Sequence, residues 1–242
     1  MSNLGLREAG RVVGRRAVRL AAALGLLVSQ GACGDDSGDP DEVLLRADNG
    51  VPLCGKPVVY LNFEGVSLLK GAADDARANV SEAPDFPESG LEIAPYANTA
   101  ERDQLLDILD IKLASLRIPV MHTRPRSGDY FMLVFLSKFT VEVPSARTTF
   151  NCGYTNPNTI GFLNTAFYTI HGGQPFIAHG ALNVIGRAVG LDAVASAVAP
   201  ANCMVNDDFL ASCTFSPVSS TKGPCATGAQ DQVALLAAMA CN

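Results

Sequence analysis

Apolar side chains fall along this chain in two patterns. Unbroken runs rich in β-branched and aromatic residues occur from Pro57 to Phe63, from Ile118 to Met121 and from Tyr130 to Leu136, with a fourth from Thr159 to Leu163. Runs of this length predict buried strands. Glu64-Gly65 ends the first, and the Pro- and Gly-bearing stretch Thr123 to Asp129 separates the second and third as a turn. The other pattern has a helical period. Leu105, Leu106, Ile108, Leu109, Leu113 and Leu116 recur behind Thr99, which reads as the cap, with Glu101 and Arg102 in the first turn. Between Gln174 and Ala193, the residues Ala178, Leu182, Ile185 and Val189 form a stripe, so one face packs inward and Gly190 is placed to stop the helix. Val233, Leu235, Leu236 and Met239 predict a last helix from about Gln230 to Ala240. Residues 65–98, rich in Ala, Asp, Pro and Gly, show no period and read as a long loop. Strands and helices interleaved over one core imply a mixed α/β or α+β layer fold.

The first 32 residues belong to a different regime. Arg7, Arg11, Arg15, Arg16 and Arg19 precede the apolar run Leu20 to Val28, and small residues follow. The run is too short to span the hydrocarbon core of a bilayer, and its flanks describe a cleaved export signal, with Arg15-Arg16 hinting at twin-arginine transport. Gly31-Ala32-Cys33 resembles the end of a bacterial lipobox, which makes Cys33 the expected lipidation site and first mature residue, although Gln30 stands where such sequences usually carry Leu. Residues 33–53 then form an acidic linker, and the folded domain is expected over 54–242.

Of the 242 residues 48% are apolar and 17% charged, which excludes a disordered chain and suits one well-buried domain. The formal charge is −6, but beyond residue 32 there are 13 basic and 23 acidic residues, a net near −10. With no basic stripe, nucleic acid is not an expected partner. Setting Cys33 aside leaves six cysteines of the seven: Cys54, Cys152, Cys203, Cys213, Cys225 and Cys241. In an exported chain these predict three disulfides in one of 15 connectivities, with the four in the last 40 residues expected to staple the C-terminal region. No C-x-x-C pair points to a zinc ribbon.

Residues 183–193 read Asn-Val-Ile-Gly-Arg-Ala-Val-Gly-Leu-Asp-Ala. The run resembles the H-E-x-x-H-x-x-G-x-x-H signature of secreted bacterial metzincin-like zinc metallopeptidases, in which two histidines one helical turn apart and a third after a glycine turn hold the metal while the glutamate works on a bound water. Laid on that pattern, Gly186 matches the glycine inside the motif, Gly190 the turn glycine, and Asp192 a residue usual after it. Asn183, Arg187 and Ala193 occupy the three ligand positions and Val184 that of the glutamate. Arginine carries no acceptor and stays charged, alanine has no donor atom, and valine cannot move a proton. The Val58 to Gly65 strand with Asp74-Asp75-Ala76-Arg77, the Leu105 to Leu116 helix, Arg124-Pro125 and Gly128-Asp129-Tyr130 follow the order of such domains, and Cys203-Met204 stands where a methionine turn would run beneath the metal. The resemblance covers about residues 54–240. It implies a twisted sheet of about four to five strands on two long helices, with catalysis lost and no zinc cofactor.

The sequence also offers other candidate chemistry. His171 and His179, with Asp192, make a displaced zinc site conceivable, and with it an active zinc metallopeptidase. His122 reads as a satisfied or exposed histidine. Asp74-Asp75 and Asp207-Asp208 read as solvated loop acids, Asn79-Val80-Ser81 as a chance glycosylation sequon, and there is no G-x-S-x-G elbow. The expectation is therefore an envelope-anchored or secreted lipoprotein, held at the membrane through Cys33, whose inactive peptidase-like domain binds a peptide or envelope protein.

Overall fold

A computed structural model describes residues 45–83, 87–138, 145–170, 172–205, 210, 212–221, 223–225 and 228–241. Cys33, His171, Asp207 and Asp208 lie outside the described residues. The main sheet contains β1 (Val58–Asn62), β5 (Val120–Met121), β6 (Tyr130–Leu136), β7 (Ala146–Thr148) and β8 (Ile160–Asn164) in the order β5-β1-β6-β8-β7. The first four of that order run parallel, and β7 pairs antiparallel with β8. Every residue of β1, β6 and β8 is buried, as parallel strands covered on both faces require.

Alternation along these strands builds two cores. Val59, Leu61, Phe131, Leu133, Phe135 and Leu163 face α1 (Thr99–Ser115) and α3 (Gln174–Ala188). Tyr60, Met132, Val134, Ile160 and Phe162 face a second layer. That layer is a three-stranded sheet, β3-β2-β4, of β2 (Val66–Lys70), β3 (Val80–Ser81) and β4 (Leu91–Ile93). Here the structure corrects the long loop expected over 65–98. These strands have at most five residues and show one half-covered face, so no continuous apolar run announces them.

Four further details differ from expectation. α1 is capped by Asn98, whose Oδ1 accepts from Glu101 N at 3.2 Å, so Thr99 is its first residue instead of its cap. α3 is buried on nearly all sides, from Ile177 through Gly186, because the sheet, α1 and the C-terminal segment surround it. The last helix, α4, spans only Gln232–Leu236 and continues as turns; it follows a hairpin of β9 (Val218–Thr221) and β10 (Gly228–Gln230), while α2 (Thr165–Thr169) is a single short helix after β8. Packed chain also reaches upstream of Cys54: Asp48 N donates to Val120 O at 2.8 Å and Asn49 Nδ2 to Ile118 O at 2.9 Å.

The six domain cysteines form Cys54–Cys241, Cys152–Cys225 and Cys203–Cys213. Only the last closes within the C-terminal region. The other two tie that region back to the segment before β1 and to the segment after β7, so all three bonds staple the C-terminal region, two of them to distant parts of the chain. Three such bonds suit an oxidising extracellular or periplasmic setting. No described helix is long and apolar enough to cross a membrane.

Candidate functional site

The C-terminal half of α3 and the turn after it gather the residues singled out in the sequence. Gly190 adopts φ +89°, and the turn closes with Leu191 N donating to Gly186 O at 2.9 Å and Gly190 N to Arg187 O at 3.0 Å, a Schellman pair that ends the helix sharply. A side chain there would also meet the backbone of Asn151 and Cys152. Gly186 lies directly against Met204: a Cβ at 186 would stand 2.4 Å from the methionine sulfur. Met204 is fully buried and held by Met204 N donating to Asn202 Oδ1 at 2.8 Å. The helix, its glycine turn and the Cys203-Met204 loop are thus one packed unit.

Asn183 is buried, and its Nδ2 donates to Cys203 O at 3.2 Å. Val184 turns into the core, where its Cγ1 closes on the open face of Gly161 in β8. Arg187 is half-buried, with its guanidinium carbon 5.4 Å from the centroid of the Phe150 ring, a cation–π distance, just past the end of β7. Burial pushes the Arg187 guanidinium down from its ordinary value, and the Tyr168 hydroxyl nearby opposes that shift. Ala193 offers a methyl. An amide already bonded to a carbonyl, a guanidinium and a methyl do not make a zinc donor set, and Cys203 is committed to a disulfide.

Of the alternative ligands, His179 and Asp192 are among the described residues. His179 is 5% exposed and its Nδ1 accepts from Leu210 N at 3.4 Å. Asp192 is fully buried as a structural brace: Asp192 N donates to Gln230 Oε1 at 3.0 Å, and Cys225 N donates to Asp192 Oδ1 at 3.2 Å. No cluster of three or more His, Cys, Asp or Glu side chains suited to a metal occurs among the described residues.

Several structural polar groups were not visible in the sequence. Gln230, whose Nε2 donates to Gly190 O at 3.0 Å, locks the turn from a distance of forty positions, and no local pattern marks it. Asp74, read as a solvated acid, is buried instead: it accepts from Ser81 Oγ at 3.0 Å, Glu82 N at 2.9 Å and Ile160 N at 3.2 Å, joining the small sheet to β8. Burial raises its carboxyl above the usual range, against the pull of those bonds. Asp75 is half-exposed and its Oδ1 accepts from Arg77 N at 3.0 Å. Asn79 sits in the left-handed region at φ 57° and accepts from Arg124 Nη2 at 2.7 Å.

The histidines predict opposite pH slopes. His122 Nε2 meets Asp110 Oδ1 at 2.9 Å, and that hydrogen bond raises its pKa. Its contribution is therefore complete below about pH 6.5 and lost as pH rises through the folded value. Burial lowers the pKa of His179, so its contribution is present above about 6.5 and lost as pH falls through that region. Chemical unfolding between pH 5 and 9 is expected to show His122→Ala flattening the alkaline limb and His179→Gln the acid limb. Each difference has a slope no steeper than about 1.4 kcal/mol per pH unit. Parallel profiles for wild type and His179→Gln would refute the assignment.

Comparison of the chain with protein-family models, with characterised proteins and with solved structures finds no match, so the functional reading rests on these residues.

Proposed function

We propose that this chain is an exported, lipid-tethered relative of metzincin-like metallopeptidases that has given up zinc and hydrolysis and holds an extended peptide or envelope protein beside α3. The observation that carries the reading is Arg187. It stands at the middle ligand position of the motif, and it is stacked on Phe150 immediately after the antiparallel terminal strand β7. A terminal strand offers backbone groups to an extended peptide, and a guanidinium alongside favours a peptide with a carboxylate. The glycine turn, the Met204 contact under Gly186 and the absence of any ionisable group at Val184 support the same reading. Cys33 supplies the tether; loss of a fatty-acid label in Cys33→Ala is the expected result, and retained label would refute it.

The experiment has two parts on the purified protein with its disulfides intact. Elemental analysis is expected to find no zinc, and casein to survive with or without a chelator; stoichiometric zinc or chelator-sensitive hydrolysis would overturn the reading. On a peptide array, Arg187→Ala is expected to weaken binding to carboxylate-bearing peptides about tenfold, the worth of one charge-assisted hydrogen bond. Unchanged binding would remove Arg187 from the site.

A further inference from the structure

A second cleft lies at the carboxyl ends of the parallel strands. From β1 the chain winds through α1 to β5 on one side, whereas from β6 it proceeds to β8 on the other, so the direction of winding reverses between β1 and β6. In open α/β sheets the crevice outside the carboxyl ends at such a reversal is where ligands settle. The structure has a cavity of about 410 Å³ there. Ser137 follows β6 and Thr165 follows β8, while Tyr96 is pinned to the end of β1 by its N–H donating to Phe63 O at 2.8 Å. None of these residues belongs to the α3 site.

The hydrogen bonds of the lining decide what it accepts. Tyr96 is 7% exposed and its hydroxyl donates to Glu101 Oε2 at 2.9 Å. Thr165 Oγ1 donates to Leu136 O at 2.9 Å, and Thr169 Oγ1 to Thr165 O at 2.8 Å. The hydroxyl protons are thus directed at protein acceptors, the Thr165 hydroxyl also lies against the Tyr96 oxygen, and what remains for a guest is mainly the lone pairs of the threonine hydroxyls. Glu101 adds a half-buried carboxylate with its second oxygen beyond the tyrosine bond. No Lys or Arg among the described residues lines the cavity. The amino end of α1 contributes an opposing partial charge of about +0.5, smaller than that of the carboxylate, and Asn98 already takes one of its N–H groups. Ala97, Ala166 and Ile170 supply short apolar walls.

We infer that this cleft binds a primary ammonium on an aliphatic arm, with the ammonium against Glu101 and the hydroxyl oxygens of the lining and the arm along Ala166 and Ile170. The same chemistry is carried by a free alkylamine and by a lysine side chain of a polypeptide.

Calorimetric titration of the disulfide-bonded protein with n-butylamine, with Nα-acetyl-lysine methylamide and with n-butanol tests this. Both amines are expected to bind saturably, and the alcohol about tenfold more weakly or not at all. The tighter of the two amines identifies the source as free or peptide-borne. Glu101→Gln, which keeps the backbone bond to Asn98, is expected to weaken the amines about tenfold. Thr169→Phe, at an exposed position of the lining, is expected to abolish binding by filling the space. Absence of saturable binding by either amine, equal binding of butanol, or amine affinity indifferent to Glu101→Gln would overturn the inference.

Discussion

Exchanging both members of the longest cross-link, Cys54→Ser with Cys241→Ser, is expected to lower the free energy of unfolding by about 5 kcal/mol, on the order of the whole stability of an ordinary domain. A cross-link acts mainly on the unfolded ensemble, and its effect grows with the logarithm of the loop it closes. Cys54 and Cys241 are 187 positions apart, Cys152 and Cys225 are 73 apart, and Cys203 and Cys213 only 10 apart. The same relation gives about 4 kcal/mol for the second pair and about 3 kcal/mol for the third. Urea unfolding of the three double-serine variants measures the ranking. If the short Cys203–Cys213 loop proves the costliest to lose, native packing of the Met204 loop beneath α3 outweighs chain entropy.

The second large effect follows from the proposed relationship. Asn183→His, Arg187→His and Ala193→His together are expected to give a protein that binds one zinc ion per chain at this site with Kd ~1 μM or tighter, about 8 kcal/mol of binding free energy. Positions 183 and 187 are one helical turn apart, and the tight turn at Gly190 ends the helix three residues before 193. An imidazole at 183 also keeps an N–H for Cys203 O, the outer-shell bond that a metal-bound histidine wants. Hydrolysis is not expected to return, because Val184 still occupies the position of the base and faces Gly161. A folded triple variant without zinc would show that the three positions do not converge, and the metzincin-like frame would fall with it.

The elements that were legible are those whose own residues do the packing. β1, β6 and β8 announce themselves because strands covered on both faces are apolar throughout, and α1 because Leu105, Leu109 and Leu113 recur on one side. The small sheet was not legible: Leu69 is 60% exposed in β2, so hydrophobicity there misstates burial. The full envelopment of α3 depends on the C-terminal segment, which is held there by the Gln230 bonds to the α3 turn and by disulfides from Cys225 and Cys241 to partners far away in sequence. At the site, the chemical character of Asn183, Val184, Arg187 and Ala193 was readable position by position. Their partners were not, since the Cys203 carbonyl, the Phe150 ring and the Gly161 face come from separate elements.

The Cys54–Cys241 bond has one more consequence. It encloses every described strand and helix in a single covalent ring. A protease that nicks one surface loop inside that ring opens the ring without separating its pieces, and the severed ends stay attached to the same folded body. For a protein exposed to digestive surroundings, such damage would be visible only after reduction, as two fragments where an unreduced gel shows one band.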